Sequence, residues 1–148
     1  MPTVRDLLKV RADKAIWSLS PDMTVLEALQ AMSDHNVGAM PVLEGDRLLG
    51  VFSERDYARK IVLKGRQSNE TPVREAMTRD VVTVGLDETL DACMQLMSEQ
   101  HVRHLPVVED GKLVSHFSIR DLLQWMIDAQ RQRINKLENY IEGTDYGQ

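Results

Sequence analysis

The sequence predicts an α+β fold made of two copies of one unit, followed by a helical extension. The first observation is a repeat, because PVLEGDRLLGVFSERD at residues 41–56 returns as PVVEDGKLVSHFSIRD at residues 106–121. The second is that both copies alternate short runs of strand formers with stretches of helical periodicity. The third is an amphipathic stretch after the second copy. Such a repeat indicates two equivalent units in one architecture.

The repeat keeps a regular register. A shift of 65 positions matches about a third of the residues between Ile16 and Tyr57 with the second copy. Each copy spans only about 60 residues, which is small for independent folding. The full chain of 148 residues has the usual length of one domain. We therefore expect the two copies to share one core.

Composition narrows the classes of function. The formal net charge of −5 and the lack of a long basic run argue against a surface for nucleic acid or anionic membrane. Cys93 is the one cysteine, which excludes an internal disulfide and suits a reducing cytoplasm. The sequence contains no apolar stretch typical of a signal peptide or a membrane span. We expect a cytoplasmic protein without a nucleic-acid or membrane partner.

Each copy is expected to open with a capped turn, a strand and a helix. Thr3 and Asp6 stand at capping-box spacing, and apolar residues recur at helical intervals after Thr24. The predicted opening elements are turns at 3–8 and 71–77, strands at 16–19 and 81–84, and helices that begin near 24 and 90.

Two strands joined by a tight turn follow in each copy. Asp110 and Gly111 are a strong hairpin pair in the second copy. A second helix is expected directly after Ser53 and after Ser118. The predicted strands are 39–43 and 48–52 in the first copy, and 105–108 and 113–117 in the second.

The tail departs from the repeat. From Asp121 to about Glu142, apolar residues recur at alternating steps of four and three, which is the spacing of a helical seam. The positions of this seam are Leu123, Ile127, Gln130, Ile134, Leu137 and Ile141. This seam would pack either against the domain or against a partner chain, and the sequence favours neither.

An S-x-x-D segment stands at each junction between the last strand and the last helix of a copy, as Ser53 with Asp56 and Ser118 with Asp121. One interpretation is a helix cap, which stabilises by about 1 kcal/mol. The other is a ligand site, because free amides at a helix start attract phosphate and a carboxylate accepts hydrogen bonds from a ribose diol. Residue types alone leave both open.

Cationic residues flank these segments. Arg103 and His104 stand immediately before the predicted strand at 105–108. The first copy has Gly38 and Ala39 at the corresponding positions, so two clefts built from these strand ends would not be equivalent. A polar strand edge is the alternative interpretation. The histidines form no metal-ligand set, Ser53 and Ser118 have no evident base, and no glycine-rich phosphate loop occurs. We expect neither a metal site nor catalytic residues.

The two segments MPVLEGDRLLGVFSERDYA and LPVVEDGKLVSHFSIRDLL resemble tandem CBS domains, the Bateman module, and nothing else accompanies them, as in small stand-alone bacterial CBS pairs. The resemblance implies two β-α-β-β-α repeats, related by a pseudo-twofold axis and packed through their sheets. It places repeat 1 at 8–63, a linker at 64–72, repeat 2 at 73–127 and a C-terminal helical extension and tail at 128–148.

The same resemblance implies two clefts for adenosine-containing ligands. Serine and aspartate of each S-x-x-D segment would bind phosphate and ribose, and the adenine would lie against the partner repeat. The first cleft would be lined by Ser53, Asp56, Met77, Val82, Val102 and Arg103. The second would be lined by Ser118, Asp121, Ala12, Trp17, Val37, Gly38 and His104. Arg55 and Arg120 are candidates from residue type alone, and would either hold phosphate or be solvated or salt-bridged. His104 takes a place often held by a phosphate-binding residue, which favours the second cleft.

Two positions depart from the family pattern. Trp17 replaces a smaller apolar residue and would either stack on adenine or block it. His116 replaces an aliphatic residue on a strand and would be either a pH-sensitive site or a structural histidine with a partner.

The resulting hypothesis is a non-enzymatic sensor. AMP, ADP, ATP or an NAD-type dinucleotide would bind as a regulatory ligand, with no catalytic cofactor, and would modulate an unknown partner protein. A homodimer is implied by the family. The alternative is a structural or protein-interaction module in which the S-x-x-D segments are only caps.

Overall fold

The computed structural model describes residues 1–10 and 16–142, which form two compact units. One unit contains residues 1–10, 86–105 and 117–142, and the other contains residues 16–85 and 106–116. The hairpin of the second copy therefore groups mainly with residues of the first copy. The predicted α+β class is confirmed.

Local caps account for where the helices begin. Thr24 forms a capping box with Glu27, and the Thr89 hydroxyl accepts a hydrogen bond from the Ala92 amide. Thr3 and Asp6 form the predicted cap as well, with 2.9 Å from the Thr3 amide nitrogen to Asp6 Oδ2. The helices are α1 (Val4–Val10), α2 (Val25–His35), α3 (Glu54–Asp56), α4 (Leu90–Gln100) and α5 (Ile119–Ile141).

Two short helical segments are also present. A π-helix, Tyr57–Val62, continues directly from α3, and Val73–Glu75 forms one 3₁₀ turn after Pro72. This turn occupies the place where the sequence predicts the second opening turn. Proline fits there because the first amide of a helical turn needs no partner.

The predicted hairpins are present as β1 (Ala39–Glu44) with β2 (Arg47–Ser53), and β3 (His104–Glu109) with β4 (Lys112–Ser118). The four strands form one sheet in the order β1-β2-β4-β3. β2 and β4 meet near their turns, where the Leu113 amide donates to the Asp46 carbonyl at 2.9 Å. The sheet thus joins the two hairpins edge to edge.

The predicted strands at 16–19 and 81–84 are much shorter than expected. Each is reduced to one parallel bridge, Leu19 with Val42 and Val84 with Val107. Leu19 donates to the Pro41 carbonyl at 2.8 Å and accepts from the Leu43 amide at 2.9 Å, so a single residue satisfies both backbone groups. Strand propensity over four residues does not ensure a ladder, because pairing depends on the neighbour available.

Each unit buries apolar side chains of its own. In the unit formed by residues 16–85 and 106–116, the main cluster is Leu19, Val25, Ala28, Met32, Met40, Val42, Phe52, Ile61, Val73, Ala76 and Met77. In the other unit, the buried apolar residues include Val4, Leu7, Leu90, Cys93, Met97, Leu105, Phe117 and Leu122. Most apolar positions of α2 and α4 are thus core positions, as their spacing predicts, whereas Leu26 of α2 is 51% exposed.

The tail helix does not pack along its length. Leu122 is fully buried near the start of α5, whereas every residue from 130 to 142 is exposed. Packing of the whole seam against the domain, one of the two interpretations of the sequence, is therefore wrong. Within the described part of the chain, none of the helices combines the length and the apolar character needed to cross a membrane.

Candidate functional site

The first S-x-x-D segment forms a complete capping box at the junction of β2 and α3. The Ser53 hydroxyl accepts from the Asp56 amide at 3.1 Å, and Asp56 Oδ2 accepts from the Ser53 amide at 3.0 Å. The Ser53 hydroxyl also donates to Asp56 Oδ2, at 3.0 Å. These bonds satisfy amides that a helix start leaves without partners.

The second oxygen of Asp56 is also engaged, by residues that the sequence analysis did not identify. Asp56 Oδ1 accepts from Thr78 Oγ1 at 2.8 Å and pairs with Lys60 Nζ at 3.1 Å. Lys60 Nζ further donates to the Met77 carbonyl at 3.2 Å. Asp56 is only 7% exposed, and both oxygens of its carboxylate have protein partners.

Thr78 reaches Asp56 because the backbone approaches β2 closely. Thr78 and Val51 exchange two backbone hydrogen bonds, of 2.8 and 2.9 Å. Gly50, beside Val51, leaves room for this approach: a Cβ there would lie 2.5 Å from the Thr78 carbonyl oxygen. Lys60 had a detectable signal, four residues after Asp56 on a helix, whereas Thr78 had none in the local sequence.

The second S-x-x-D segment forms the same cap at the start of α5. The Ser118 hydroxyl accepts from the Asp121 amide at 3.1 Å, and Asp121 Oδ2 accepts from the Ser118 amide at 2.9 Å. The Ile119 amide donates to the Arg103 carbonyl at 2.8 Å, so the Arg103 backbone lies at the first turn of α5. The predicted cap interpretation is thus correct at both junctions, and it does not exclude a ligand role.

Asp121 differs from Asp56 in its surroundings. It is half-buried and lines a cavity of about 320 Å³ between α1 and α5. The lining residues are Leu7, Val10, Asp121, Gln124, Trp125, Asp128, Ala129 and Gln132. This volume is at the lower end of the range for small-molecule sites.

The repeat register explains the difference between the two junctions. At a shift of 65 positions, Lys60 corresponds to Trp125. Lys60 pairs with Asp56, while Trp125, at the same distance after Asp121, is an aromatic side chain in the cavity wall. The position that holds a lysine in the first copy thus holds an aromatic residue of the cavity wall in the second.

The remaining predicted site residues lie at several places. Gly38 is beside the first junction, since its carbonyl accepts from the Glu54 amide at 3.0 Å, and Val37 precedes it. Met77 is buried in the core at 5% exposure. Val82 and Val102 are half-buried, and the cationic residues Arg55, Arg103, His104 and Arg120 are all exposed. Ala12 lies outside the described residues.

Trp17 and His116 are two further positions of interest. The Trp17 ring stacks on the His35 imidazole, with ring centroids 4.0 Å apart and 16° between the planes. One face of the indole is therefore occupied within its own unit, although the side chain stays 46% exposed. His116 is half-buried in β4 rather than enclosed in the core.

The described residues contain no cluster of three or more histidine, cysteine or acidic side chains that would hold a metal ion. Cys93 is fully buried, and burial raises the pKa of its thiol to about 11. A neutral buried thiol is a poor nucleophile.

Comparison with known proteins agrees with the paired junctions. The family model described as CBS domain matches the chain twice, at residues 4–63 and 73–128. The chain belongs to the CBS-domain family. Its two S-x-x-D junctions are therefore the corresponding positions of two CBS repeats.

Among relatives, the CBS domain-containing protein YhcV of Bacillus subtilis is 34% identical over 82% of this chain and 84% of its own length. A solved structure of a protein with CBS domains from Burkholderia ambifaria MC40-6 is 41% identical, covering 86% of this chain and 96% of that chain, with a TM-score of 0.75. These likenesses identify a CBS pair of similar size.

A third structure has the same fold at lower identity. The CBS domain pair of protein MJ0100, in complex with 5-methylthioadenosine and S-adenosyl-L-methionine, has a TM-score of 0.67 and 23% identity. It covers 86% of this chain and 97% of that chain. At this identity the likeness shows the fold alone.

Proposed function

We propose that this CBS pair is a non-enzymatic regulatory module that binds an adenosine-containing ligand, such as AMP, ADP, ATP or an NAD-type dinucleotide, at the junction of β4 and α5. One observation carries the proposal: Asp121 and Trp125 line one cavity at the start of a long, capped helix. Each part of an adenosine ligand has a group there that fits its chemistry.

The ribose and the base fit the cavity wall. A half-buried carboxylate such as Asp121 accepts hydrogen bonds from the two hydroxyls of a ribose, as acidic residues do in dinucleotide folds. The indole of Trp125 offers a flat apolar surface on which an adenine ring stacks. Asp128 in the same wall disfavours phosphate there, which directs the phosphates toward the helix start.

The start of α5 suits phosphate. A helix of 23 residues presents a positive dipole end, and anions are stabilised there. The Arg103 carbonyl accepts a hydrogen bond from the first turn of α5, and His104 is the next residue after Arg103. Arg120 lies in that first turn and is exposed. Arg120 in this turn, together with Arg103 and His104 next to the backbone contact, favours a charged nucleotide.

The junction at Ser53 is proposed to be structural. Asp56 is buried and its second oxygen is bonded to Thr78 and Lys60, so a ribose would have to displace two protein partners. Breaking a buried charged hydrogen bond is costly, by roughly 1.5–3 kcal/mol. The proposal assigns the ligand to the junction at Ser118, where Asp121 lines a cavity, and a structural role to the junction at Ser53.

The proposal includes a second copy of this chain as partner and an unidentified regulated protein. A ligand regulates only through a difference in affinity between two states, and a change in packing between copies would supply those states. The MJ0100 complex supports adenosine ligands as the chemistry of this fold. A cytoplasmic location remains a prediction of the sequence.

The test is titration calorimetry with AMP, ADP, ATP and NAD on the full chain and four variants. Trp125→Lys recreates the lysine of the first junction and is expected to abolish binding, while Trp125→Phe keeps an aromatic surface and should retain it. Asp121→Asn should weaken binding at least tenfold, whereas its matched control Asp56→Asn should leave affinity unchanged. Equal losses for Asp121→Asn and Asp56→Asn would contradict the assignment.

The alternative is an interaction module without a nucleotide, and the complete caps at both junctions support it. In that case none of the four ligands would release or absorb heat with the unmodified chain. Circular dichroism of each variant establishes that the fold is intact, so a lost signal is then a property of the site.

A further inference from the structure

We propose that the exposed part of α5 pairs with α5 of a second copy as a parallel, in-register, two-stranded coiled coil. The inference rests on the self-association in the proposed function and specifies its geometry. The side chains concerned are the seam positions predicted from the sequence: Leu123, Ile127, Gln130, Ile134, Leu137 and Ile141.

The apolar side chains of this seam are exposed to solvent, and a partner helix would bury them. Its five apolar members are 45–75% exposed, and the helix beyond residue 129 is exposed on all sides. An isolated helix of about 12–15 residues is marginal in water, so a 13-residue exposed stretch with an apolar stripe gains much from burial of that stripe. The Ser118 cap and buried Leu122 already fix the start of the helix, which lowers the entropy cost of pairing.

The residue types along the seam favour two parallel strands. Steps of four and three place Ile127, Ile134 and Ile141 at heptad position a, and Leu123, Gln130 and Leu137 at position d. Isoleucine at a with leucine at d is the pattern of parallel dimers. In such a dimer, Gln130 faces Gln130 of the second copy, and the two amides hydrogen-bond to each other.

Charge complementarity supports the same orientation. Arg133 occupies position g and Glu138 the following position e, which are adjacent across a parallel dimer. Each Arg133 therefore meets Glu138 of the second copy, and symmetry makes two such pairs. A fully overlapping antiparallel pair, centred on residue 132, would instead bring the two Arg133 side chains together and bury Gln130 against isoleucine.

Cysteine cross-linking tests the orientation. Gln130→Cys and Leu137→Cys, each in the full chain, are expected to form disulfide-linked dimers under mild oxidation, while the outward-facing control Asn135→Cys is not. An antiparallel pair cannot link both sites, because with residue 130 in register the two residues 137 lie about 21 Å apart. Cys93 is fully buried, so the unmodified chain serves as the blank.

Exchanging the charges of Arg133 and Glu138 provides an independent test of the parallel orientation. In sedimentation equilibrium, Arg133→Glu and Glu138→Arg should each weaken the dimer by about threefold to tenfold, since two attractions become repulsions. The double variant should restore the original affinity. A dimer that neither cross-links nor responds to these exchanges would overturn the coiled coil but leave the proposed self-association standing, and a monomer would overturn both. Nucleotide titrations of the same variants report on the ligand proposal separately.

Discussion

At the scale of single residues, Gly50 lies where the neighbouring backbone leaves no room for a side chain. Its backbone carries no side chain at a point where Thr78 approaches β2, and a Cβ would lie 2.5 Å from the Thr78 oxygen and 3.2 Å from Met77 Sδ. The second copy has Ser115 at the corresponding position, so the constraint belongs to the first junction. This glycine allows Thr78 to reach Asp56.

We predict that Gly50→Ala destabilises the protein by about 1–3 kcal/mol, because backbone must move to accept the methyl group. The matched control is Gly85→Ala, where a Cβ would meet no atom within 4 Å. Urea unfolding measures both. Equal stability of the two variants would show that the approach of Thr78 is not tight.

Cys93 provides a second prediction, on pH. Burial raises the pKa of this thiol to about 11 in the folded protein, whereas an exposed thiol has a pKa of about 8.5. The folded state thus favours the protonated thiol: this contribution to stability is complete below the unfolded pKa and is lost as the pH rises toward 11. Cys93→Ala should remove that part of the alkaline loss of stability.

The same burial predicts slow chemistry. In the folded chain at pH 8, labelling of Cys93 by a disulfide reagent should be many times slower than in urea, because the thiolate is the reactive form and the side chain is inaccessible. Rapid labelling without unfolding would mean that α4 opens locally.

At the scale of elements, one local pattern leads to two different helices. Both S-x-x-D segments cap a helix, yet α3 passes after three residues into the π-helix, while α5 continues for 23 residues. The π-helix carries Lys60, which pairs with Asp56 and with the Met77 carbonyl. The cap sets where a helix begins, and the residues beyond it decide its course.

We predict that Asp56 and Thr78 act as a coupled pair. Thr78→Val should destabilise the protein by about 1 kcal/mol and Asp56→Ala by about 2–3 kcal/mol, since the latter removes the carboxylate half of the capping box and the acceptor for Thr78 and Lys60. The double variant should be less destabilised than the sum, by roughly 1 kcal/mol. Full additivity would mean that the 2.8 Å hydrogen bond from Thr78 Oγ1 to Asp56 Oδ1 contributes nothing to the free energy of unfolding. Thr83→Val, at an exposed position, is the control.

At the scale of the whole molecule, the repeats and the compact units do not coincide. Residues 106–116 belong to the second CBS repeat by sequence but group with residues 16–85 in the fold. A ligand that binds only the folded protein stabilises it by mass action, whichever unit holds the site.

We predict that a nucleotide at about 100 times its Kd adds about 2.7 kcal/mol of stability, which for a chain of 148 residues raises the Tm by roughly 5–10 °C. Calorimetric melting with and without nucleotide measures this shift. Trp125→Lys should melt at one temperature in both conditions. A shift that persists in this variant would place the ligand elsewhere.

The sequence by itself determined the features that depend on neighbours along the chain. The 65-residue repeat, the hairpins, the capped helix starts and the seam of α5 are all visible because their interactions join residues a few positions apart. The family followed from the same repeat, and the family match confirms it.

Only the tertiary structure decided what surrounds each aspartate. Thr78 lies 22 residues from Asp56 and touches it because the chain crosses β2 beside Gly50, and Leu19 forms one bridge where a strand was expected. The cavity at Asp121 likewise joins α1 to α5, more than a hundred residues apart in the chain. Such contacts depend on how distant segments pack, which no local pattern encodes, and they give Asp56 and Asp121 different surroundings.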